Sequence, residues 1–559
     1  MKKNKLILFV IFVILIAIGG MSYYKNNSLR RAENNPKFFY GMTIETETEK
    51  TLFADKKVLV FVPHEDDDVN LMGGLLENYV KYGSAVYVVF ASNGDYCNLA
   101  ELRLQEAINV LEGHYGIPRK HIIFLGYGDE YKEGETHLYH AHPTEIVTSY
   151  NNKNHTYGTQ DIRPYKEEYY TRENYKRDYY EIIQSIKPDT IFCVDMDMHS
   201  DHKLVSLIFE EVMGDILKED QLYHPEVYKG FCYFGAWLGD YDFVDGENIK
   251  SIHYSGGENM EDNPVYRWAD RVRMPVSFES VSLELKDSST YEALSYYWTQ
   301  DANSHAPAIV NGDKVFWKRR TDNLAMGASI VTSSGNVEAL NDFKLVDTSQ
   351  IRGGTWDSGI WIPDYSDDNP TITLSWEEEK TITSLKLYDN PSLNDNILGV
   401  AVKIGEKTIA EYGPLCVYGA DTNICLDNVK TNQLTIELLE KEGENAGLLE
   451  IEAFGEEKDA KQRILKLMDE NEDFAYNYQV DSNNCAILMV YEGGDKPTKG
   501  SLSDLSEFSV ALCGTEDGQV KVEGNKIVVF CPDGEKGTLL LMDKDRKKIY
   551  DVTFIRGID

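Results

Sequence analysis

From Lys56 onward, apolar runs and helix-period segments alternate along the chain. "VLVFV" reads as a buried strand, "NLMGGLLENYVKYG" as a helix, "AVYVVFASNG" as a strand, "LAELRLQEAINVLEGHYG" as a helix and "HIIFLGYGD" as a strand. After a polar stretch from Tyr127 to Tyr175, the alternation resumes with "YKRDYYEIIQSIKPD" as helix, "TIFCVD" as strand and "HKLVSLIFEEVMGDIL" as helix. Strands that are apolar throughout and separated by helices are covered on both faces. That pattern predicts a parallel sheet in a doubly wound, Rossmann-like α/β domain. No G-x-G-x-x-G follows the first strand, so dinucleotide binding has no support. The polar stretch, rich in Tyr, His, Asn and Glu, is expected to be a lid or substrate loop.

Past Asn323 the texture changes to short alternating runs punctuated by Gly, Asp and Asn. "TITLSWEEEKTITSLKLYDN", "GVAVKIG", "QLTIELLEK" and "GLLEIEAFG" predict a β-sandwich. A helical connector, "KDAKQRILKLMDEN", is expected to lead to a second, smaller β-sandwich containing "CAILMVYEGG", "SEFSVALCG", "NKIVVFCPDG" and "GTLLLMD". The expected organisation is an N-terminal segment (residues 1–36), the α/β domain (37–328), a first sandwich (329–456) and a β-rich C-terminal domain (457–559).

The N-terminus changes the setting. An uncharged, mostly apolar run from Leu6 to Tyr24 follows Lys2, Lys3 and Lys5. It approaches the ~20 residues of a membrane span and exceeds the ~7–15 of a secretory core. No Ala-x-Ala cleavage site follows. The expectation is a single-pass anchor in the cell membrane with an extracellular catalytic body, or a secreted protein if the segment is cleaved. The 56 Lys and Arg against 93 Asp and Glu give a net charge of −37, which repels phosphate backbones and excludes nucleic acid as a partner. The eight cysteines include no C-x-x-C pair, so zinc ribbons and thioredoxin-type motifs are excluded. Cys416 and Cys425 lie close enough in sequence for a disulfide across a hairpin, although no bridge is expected to be essential.

Ligands of a doubly wound sheet bind outside the carboxyl ends of its strands. Two such ends carry concentrated polar sets, "PHEDDD" after Val62 and "DMDMHSDH" after Val194. Alone, a carboxylate run serves as the start of a helix, where its charge favours the dipole. An isolated H-x-x-H pair is often accidental. Together, each at the exit of a buried strand, they offer His64, Asp66, Asp67, His199, Asp201 and His202, the inventory of a mononuclear metal site with a spare base. The "HLYHAHP" segment, with His137, His140 and His142, competes as a metal set, but no strand feeds it.

"PHEDDD" resembles the A-H-P-D-D-E signature, and "HSDH" the later H-x-D-H signature, of the PIG-L/LmbE-like de-N-acetylases, zinc enzymes acting on N-acetylglucosamine derivatives. "ASNGD" and "RLQEA" fall where that family places a T-x-G-(D/E) turn and an R-x-x-E helix. Pro63, Glu65 and Asp68 stand where the signature has Ala, Pro and Glu. The resemblance implies that His64, Asp67 and His202 ligate Zn²⁺ (or another divalent metal such as Fe²⁺). It implies Asp66 as general base, a protonated His199 at the oxyanion, Asp201 as orienter of His199, and Arg103 toward the sugar. The first sandwich resembles a discoidin-like, galactose-binding module, with Trp356 and Trp361 as candidate sugar-stacking residues. The expected function is removal of the N-acetyl group from a cell-surface glycan or glycolipid. The alternatives are a glycan-binding surface protein without turnover, and a metal-dependent amidase or esterase on a non-sugar acyl group.

Overall fold

Val58 to Val62, the apolar half of β1 (Lys57–Val62), are all fully buried, because neighbours flank the strand on both edges and helices cover both faces. The computed structural model describes residues 52–558 apart from 131–136, 159–166, 198, 233–270, 281–285, 287, 311–312, 346–358, 393, 418–419, 456–464, 471–476, 493–500, 514, 516 and 545–548. The proposed anchor, Leu6 to Tyr24, and Trp356 lie outside them. Among the described residues, no helix is long and apolar enough to cross a membrane.

β1 pairs in parallel with β2 (Ala85–Ser92) on one side and with β4 (Thr190–Val194) on the other. β3 (Ile122–Tyr127) extends the first side and β5 (Glu226–Gly230) the second, both parallel. The crossovers are α1 (Asp67–Lys81), α2 (Ala100–Ile108), α3 (Arg172–Ile186) and α4 (Ser200–Glu219). The order β3-β2-β1-β4-β5 reverses direction at β1, so the carboxyl ends of β1 and β4 flank the switch-point crevice. The expected doubly wound domain is thus present. Two antiparallel strands extend it, β6 (Arg271–Pro275) and β7 (Asp313–Arg319), which the reading of the sequence did not separate from their polar surroundings.

The described residues of the polar stretch after β3 are anchored to the domain. Tyr139, Tyr170 and Tyr175 are buried, Tyr127 and Tyr175 lie 4.3 Å apart at their ring centroids, and the main chain is tied by Val147 N to Tyr170 O and Thr156 N to Glu168 O.

β8 (Ser329–Thr332), β9 (Thr371–Asp389), β10 (Asn396–Ile404), β11 (Lys407–Tyr412), β12 (Asp421–Glu442) and β13 (Leu448–Phe454) make the first sandwich. The long strands β9 and β12 shift register between Cys425 and Val429 and between Thr431 and Gln433, which bends both so that each half faces one core. Ile372 and Leu374 therefore meet Ile382, Leu385 and Leu387 in one cluster. Cys416 and Cys425 are both free and exposed. The C-terminal sandwich sets one sheet around β16 (Cys485–Glu492) and β20 (Lys526–Phe530) against another around β21 (Lys536–Asp543) and β22 (Ile549–Arg556). Part of the expected helical connector is a strand, Leu465–Asp469. Leu465 and Leu467 alternate into the core while the backbone pairs with β16, and burial outweighs helical propensity.

A line of buried charge ties these pieces together. Lys229 on β5 lies 3.4 Å from Asp195, which follows β4, and 3.0 Å from Glu210 on α4. Arg319 on β7 lies 3.6 Å from the same Glu210 and 3.7 Å from Glu452 on β13. Removing one partner of a buried ion network leaves the other uncompensated. Lys229→Met, which strands Asp195 and Glu210, is expected to lower the stability of the α/β domain by ~3–5 kcal/mol, read as a lower urea midpoint for its unfolding transition.

Candidate active site

Sequence distance between the two polar sets disappears at the switch point. Asp67 opens α1, and its Oδ2 lies 3.1 Å from His64 Nδ1 and 3.3 Å from His202 Nε2 on α4. The same oxygen accepts the His64 backbone N–H at 3.1 Å. The far nitrogen of His202, Nδ1, is 2.6 Å from Asp197 Oδ2, which fixes the ring and its tautomer. His64 Nε2 faces Asp201 Oδ2 at 3.3 Å and Asp129 Oδ1, beyond the end of β3, at 3.9 Å. The nitrogens of His64, His199 and His202 lie within 4.8 Å of one another.

Asp66 stands between two of these ligand candidates in sequence and lines the same cleft, with an unusual backbone conformation. Its φ of 151° is in a region that non-glycine residues rarely adopt, with ψ −23°, and strain of this kind persists only where the surroundings hold it. Glu65, in the place of the signature proline, is fully buried, and neither of its carboxylate oxygens has a hydrogen-bond partner. Burial pushes that carboxyl up, opposed first by the Arg103 charge. Gly94, at φ 55° in "ASNGD", lets both side chains approach: a Cβ there would lie 2.4 Å from Arg103 Nη1 and 2.5 Å from Glu65 Oε2. Asp68, the signature's third departure, accepts the Tyr297 hydroxyl at 2.8 Å, and burial raises it to about 7.

The electrostatics separate neighbours of identical type. Burial, then the Asp67 charge, pushes Asp66 up to about 8. Burial opposes ionisation of Asp67 too, yet the His202 and His64 imidazoles hold it well below the usual carboxylate range. Burial would lower both histidines, but the carboxylates prevail. Asp197 and Asp67 raise His202 to about 10, and Asp201 and Asp67 hold His64 well above the usual imidazole range. The pocket therefore favours positive charge at the point where two imidazole nitrogens and one carboxylate oxygen converge. That demand, and the donor set, fit a divalent cation, whose binding displaces the imidazole protons.

His199 departs from the expected protonated form. Its Nδ1 accepts the Asp201 backbone N–H at 3.2 Å, which places the proton of a neutral ring on Nε2. Burial, followed by the charges of His64 and His202, pushes it down to about 4. Asp201 lies 3.5 Å from His199 but closer to His64, so it orients His64 through its carboxylate and His199 through its backbone. Arg103 lines the cleft, whereas Glu106 does not pair with it on the surface. Glu106 is buried and accepts Thr299 N at 3.2 Å and Thr299 Oγ1 at 2.6 Å.

A cleft of about 250 Å³ opens over these groups, lined also by Asn70, Tyr96, Gln300 and His305. His305 Nδ1 lies 3.7 Å from Asp66 Oδ2. Asp129, Asp197 and His305 were not singled out from the sequence. Asp197 was legible as the second of the three acids of "DMDMHSDH" and Asp129 as the acid after the third parallel strand, but nothing around His305 marks it. Among the described residues, the candidate metal sets are His64 with His199 and His202, and His64 with Asp129 and Asp201; neither includes Asp67, His137, His140 or His142. Trp361 is corrected: its side chain is fully buried in the first sandwich, and its Nε1 donates to the Ser334 carbonyl at 2.8 Å, so no sugar ring can stack on it.

Residues 323–454 match a domain of unknown function, DUF7402. No curated protein matches the chain. Among solved structures, N,N'-diacetylchitobiose deacetylase from Pyrococcus horikoshii is 21% identical, over 30% of this chain and 53% of that chain, with a TM-score of 0.20. The module CpGH89CBM32-5 from Clostridium perfringens is 17% identical over 23% of this chain and 96% of that one, with a TM-score of 0.19. Chitosan-binding module 2 of a chitosanase/glucanase from Paenibacillus sp. IK-5 is 17% identical over 24% and 100%, with a TM-score of 0.18. The model of the GlcNAc-PI de-N-acetylase family, PIG-L, matches residues 59–213, the stretch from β1 to α4 that holds both polar sets, and over that stretch the chain carries a PIG-L family domain.

Proposed function

We propose that the α/β domain is a zinc-dependent hydrolase that removes the acetyl group from an N-acetylated amino sugar in a glycan or glycolipid. The observation that carries this reading is the convergence of His64 Nδ1 and His202 Nε2 on Asp67 Oδ2, at 3.1 and 3.3 Å, beside Asp66 and inside the PIG-L segment. His64, Asp67 and His202 would hold the ion, which supplies a Lewis acid for the acetamide carbonyl and lowers the pKa of water.

The remaining chemistry belongs to the side chains. Asp66 takes a proton from water as its oxygen bonds to the acetamide carbon, and returns that proton to the nitrogen as the C–N bond breaks, giving acetate and an amine. His199 donates Nε2–H to the developing oxyanion as a neutral imidazole, so the leaving amine draws its proton from Asp66. Asp197 and Asp201 keep the His202 and His64 rings turned toward Asp67. Placement at the cell surface, tethered through Leu6 to Tyr24, completes the proposal and rests on the composition of that segment.

Acetate release from N-acetylglucosamine oligosaccharides and glycolipids by the full chain is expected to be abolished by a chelator and restored by zinc. Asp66→Ala is expected to lower kcat by ~10²–10⁴-fold with bound metal retained by elemental analysis. If metal binds and simple esters or acyl-amino acids are the compounds turned over, the amidase or esterase reading replaces this one. If no metal binds at all, the chain is a glycan-binding protein. Asp197→Asn removes the acceptor that orients His202. It is expected to weaken zinc binding ~10–100-fold, measured by competition with a chromogenic chelator.

A further inference from the structure

We infer that Tyr96 and Tyr150 form a stacking platform for the sugar ring adjoining the one that is deacetylated, so that the substrate is an oligomeric or polymeric glycan. The inference rests on the deacetylase reading above and narrows its substrate. Tyr96 lines the same cleft as His64, Asp66 and His199. It is 57% exposed, and Tyr150, 42% exposed, stacks on it with ring centroids 4.4 Å apart and planes at 29°. Two large rings held face to face in solvent at the rim of a catalytic cleft present an amphipathic surface of the kind that meets a ligand. A pyranose suits it, with its C–H face against the ring and its hydroxyls free for polar neighbours.

The platform is fixed from below. Asp129 Oδ2 accepts the Tyr96 backbone N–H at 2.7 Å, and the Asp129 carbonyl accepts Tyr150 N at 2.9 Å. Tyr157 donates its hydroxyl to Asp95 Oδ2 at 2.6 Å, and Asn151 donates to the Asp95 carbonyl. The residue that carries both rings, Asp129, also faces His64 Nε2 at 3.9 Å. The aromatic face therefore stands in a set relation to the reacting centre, as a neighbouring-sugar subsite requires.

The test compares initial acetate release, as kcat/KM per acetyl group, from monomeric N-acetylglucosamine and from its β-1,4- and β-1,6-linked tetramers. The wild-type chain is expected to prefer a tetramer. Tyr96→Ala is expected to reduce the tetramer-to-monomer ratio about tenfold, Tyr150→Ala to reduce it in the same direction, and Tyr96→Phe, which keeps the ring, to preserve it. Turnover without tetramer preference in the wild type, or a ratio unchanged by Tyr96→Ala in a chain that melts at the wild-type temperature, overturns the platform and leaves the deacetylase reading standing. Absence of acetate release from every sugar overturns both.

Discussion

The structure is organised around a mutual repulsion. Asp66, Asp67, Asp129, Asp197 and Asp201 are all buried at the carboxyl ends of β1, β3 and β4. Carboxylates removed from water at such spacing cannot all ionise without compensating positive charge. Two imidazoles supply part of it, and they are held protonated against the tendency of burial to discharge them. The same demand suits a dication, which the buried His and Asp cluster could hold. The crevice at the switch point supplies the place, because helix N-termini from both sides of β1 and β4 open there.

That repulsion has to be held by the rest of the fold. Asp195, two residues before Asp197, is fixed by Lys229, by the Ser206 hydroxyl at 2.8 Å and by its own N–H on the Gly230 carbonyl. Lys229 shares Glu210 with Arg319, and Arg319 donates to the Phe343 carbonyl at 3.0 Å and reaches Glu452 in the first sandwich. The loop that orients His202 is thereby linked to a β module through buried ion pairs, which are geometrically demanding in a way that apolar contacts are not. Phe343, Leu345, Ile360, Tyr388 and Leu449 join the α/β core cluster at the same junction. The sandwich is therefore packed against the catalytic domain.

What was legible in the sequence follows from period and adjacency. The buried parallel strands declare themselves because every position is apolar, and α1 to α4 because their apolar residues recur at helical spacing. His64, Asp67 and His202 were legible because each sits at a strand exit within a dense polar run. The antiparallel β6 and β7 were not, since Arg273 and Lys314 interrupt them. Arg273 is buried against Asp551 of the C-terminal sandwich at 2.6 Å, and Lys314 donates to the Asn70 carbonyl at 3.0 Å where α1 kinks at Gly73. Both are long-range pairings that no local window contains. Trp361 misled for a related reason: a tryptophan among Gly, Asp and Ser reads as exposed, while its bridge to Leu448 pulls it into the core.

The environments of Asp66 and Asp67 are the clearest case of structure adding what local sequence does not hold. Asp66 and Asp67 are the same residue type, one peptide bond apart. The turn after β1 holds Asp66 at φ 151° and lets Asp67 enter the first turn of α1, where its oxygen meets two imidazoles and a backbone N–H. Asp67 is thereby committed to its charge and is a poor proton acceptor near neutral pH. Asp66, denied those donors and pressed by its neighbour's charge, is raised into the range in which a carboxylate exchanges protons near neutrality. Divergent environments for a pair of like groups are how one site obtains both a permanent anion and a proton carrier. Here the divergence comes from burial and neighbouring charge: the backbone turn at Asp66 leaves its carboxyl without the imidazole partners that Asp67 has, so the conformation of that turn sets the charge of both groups.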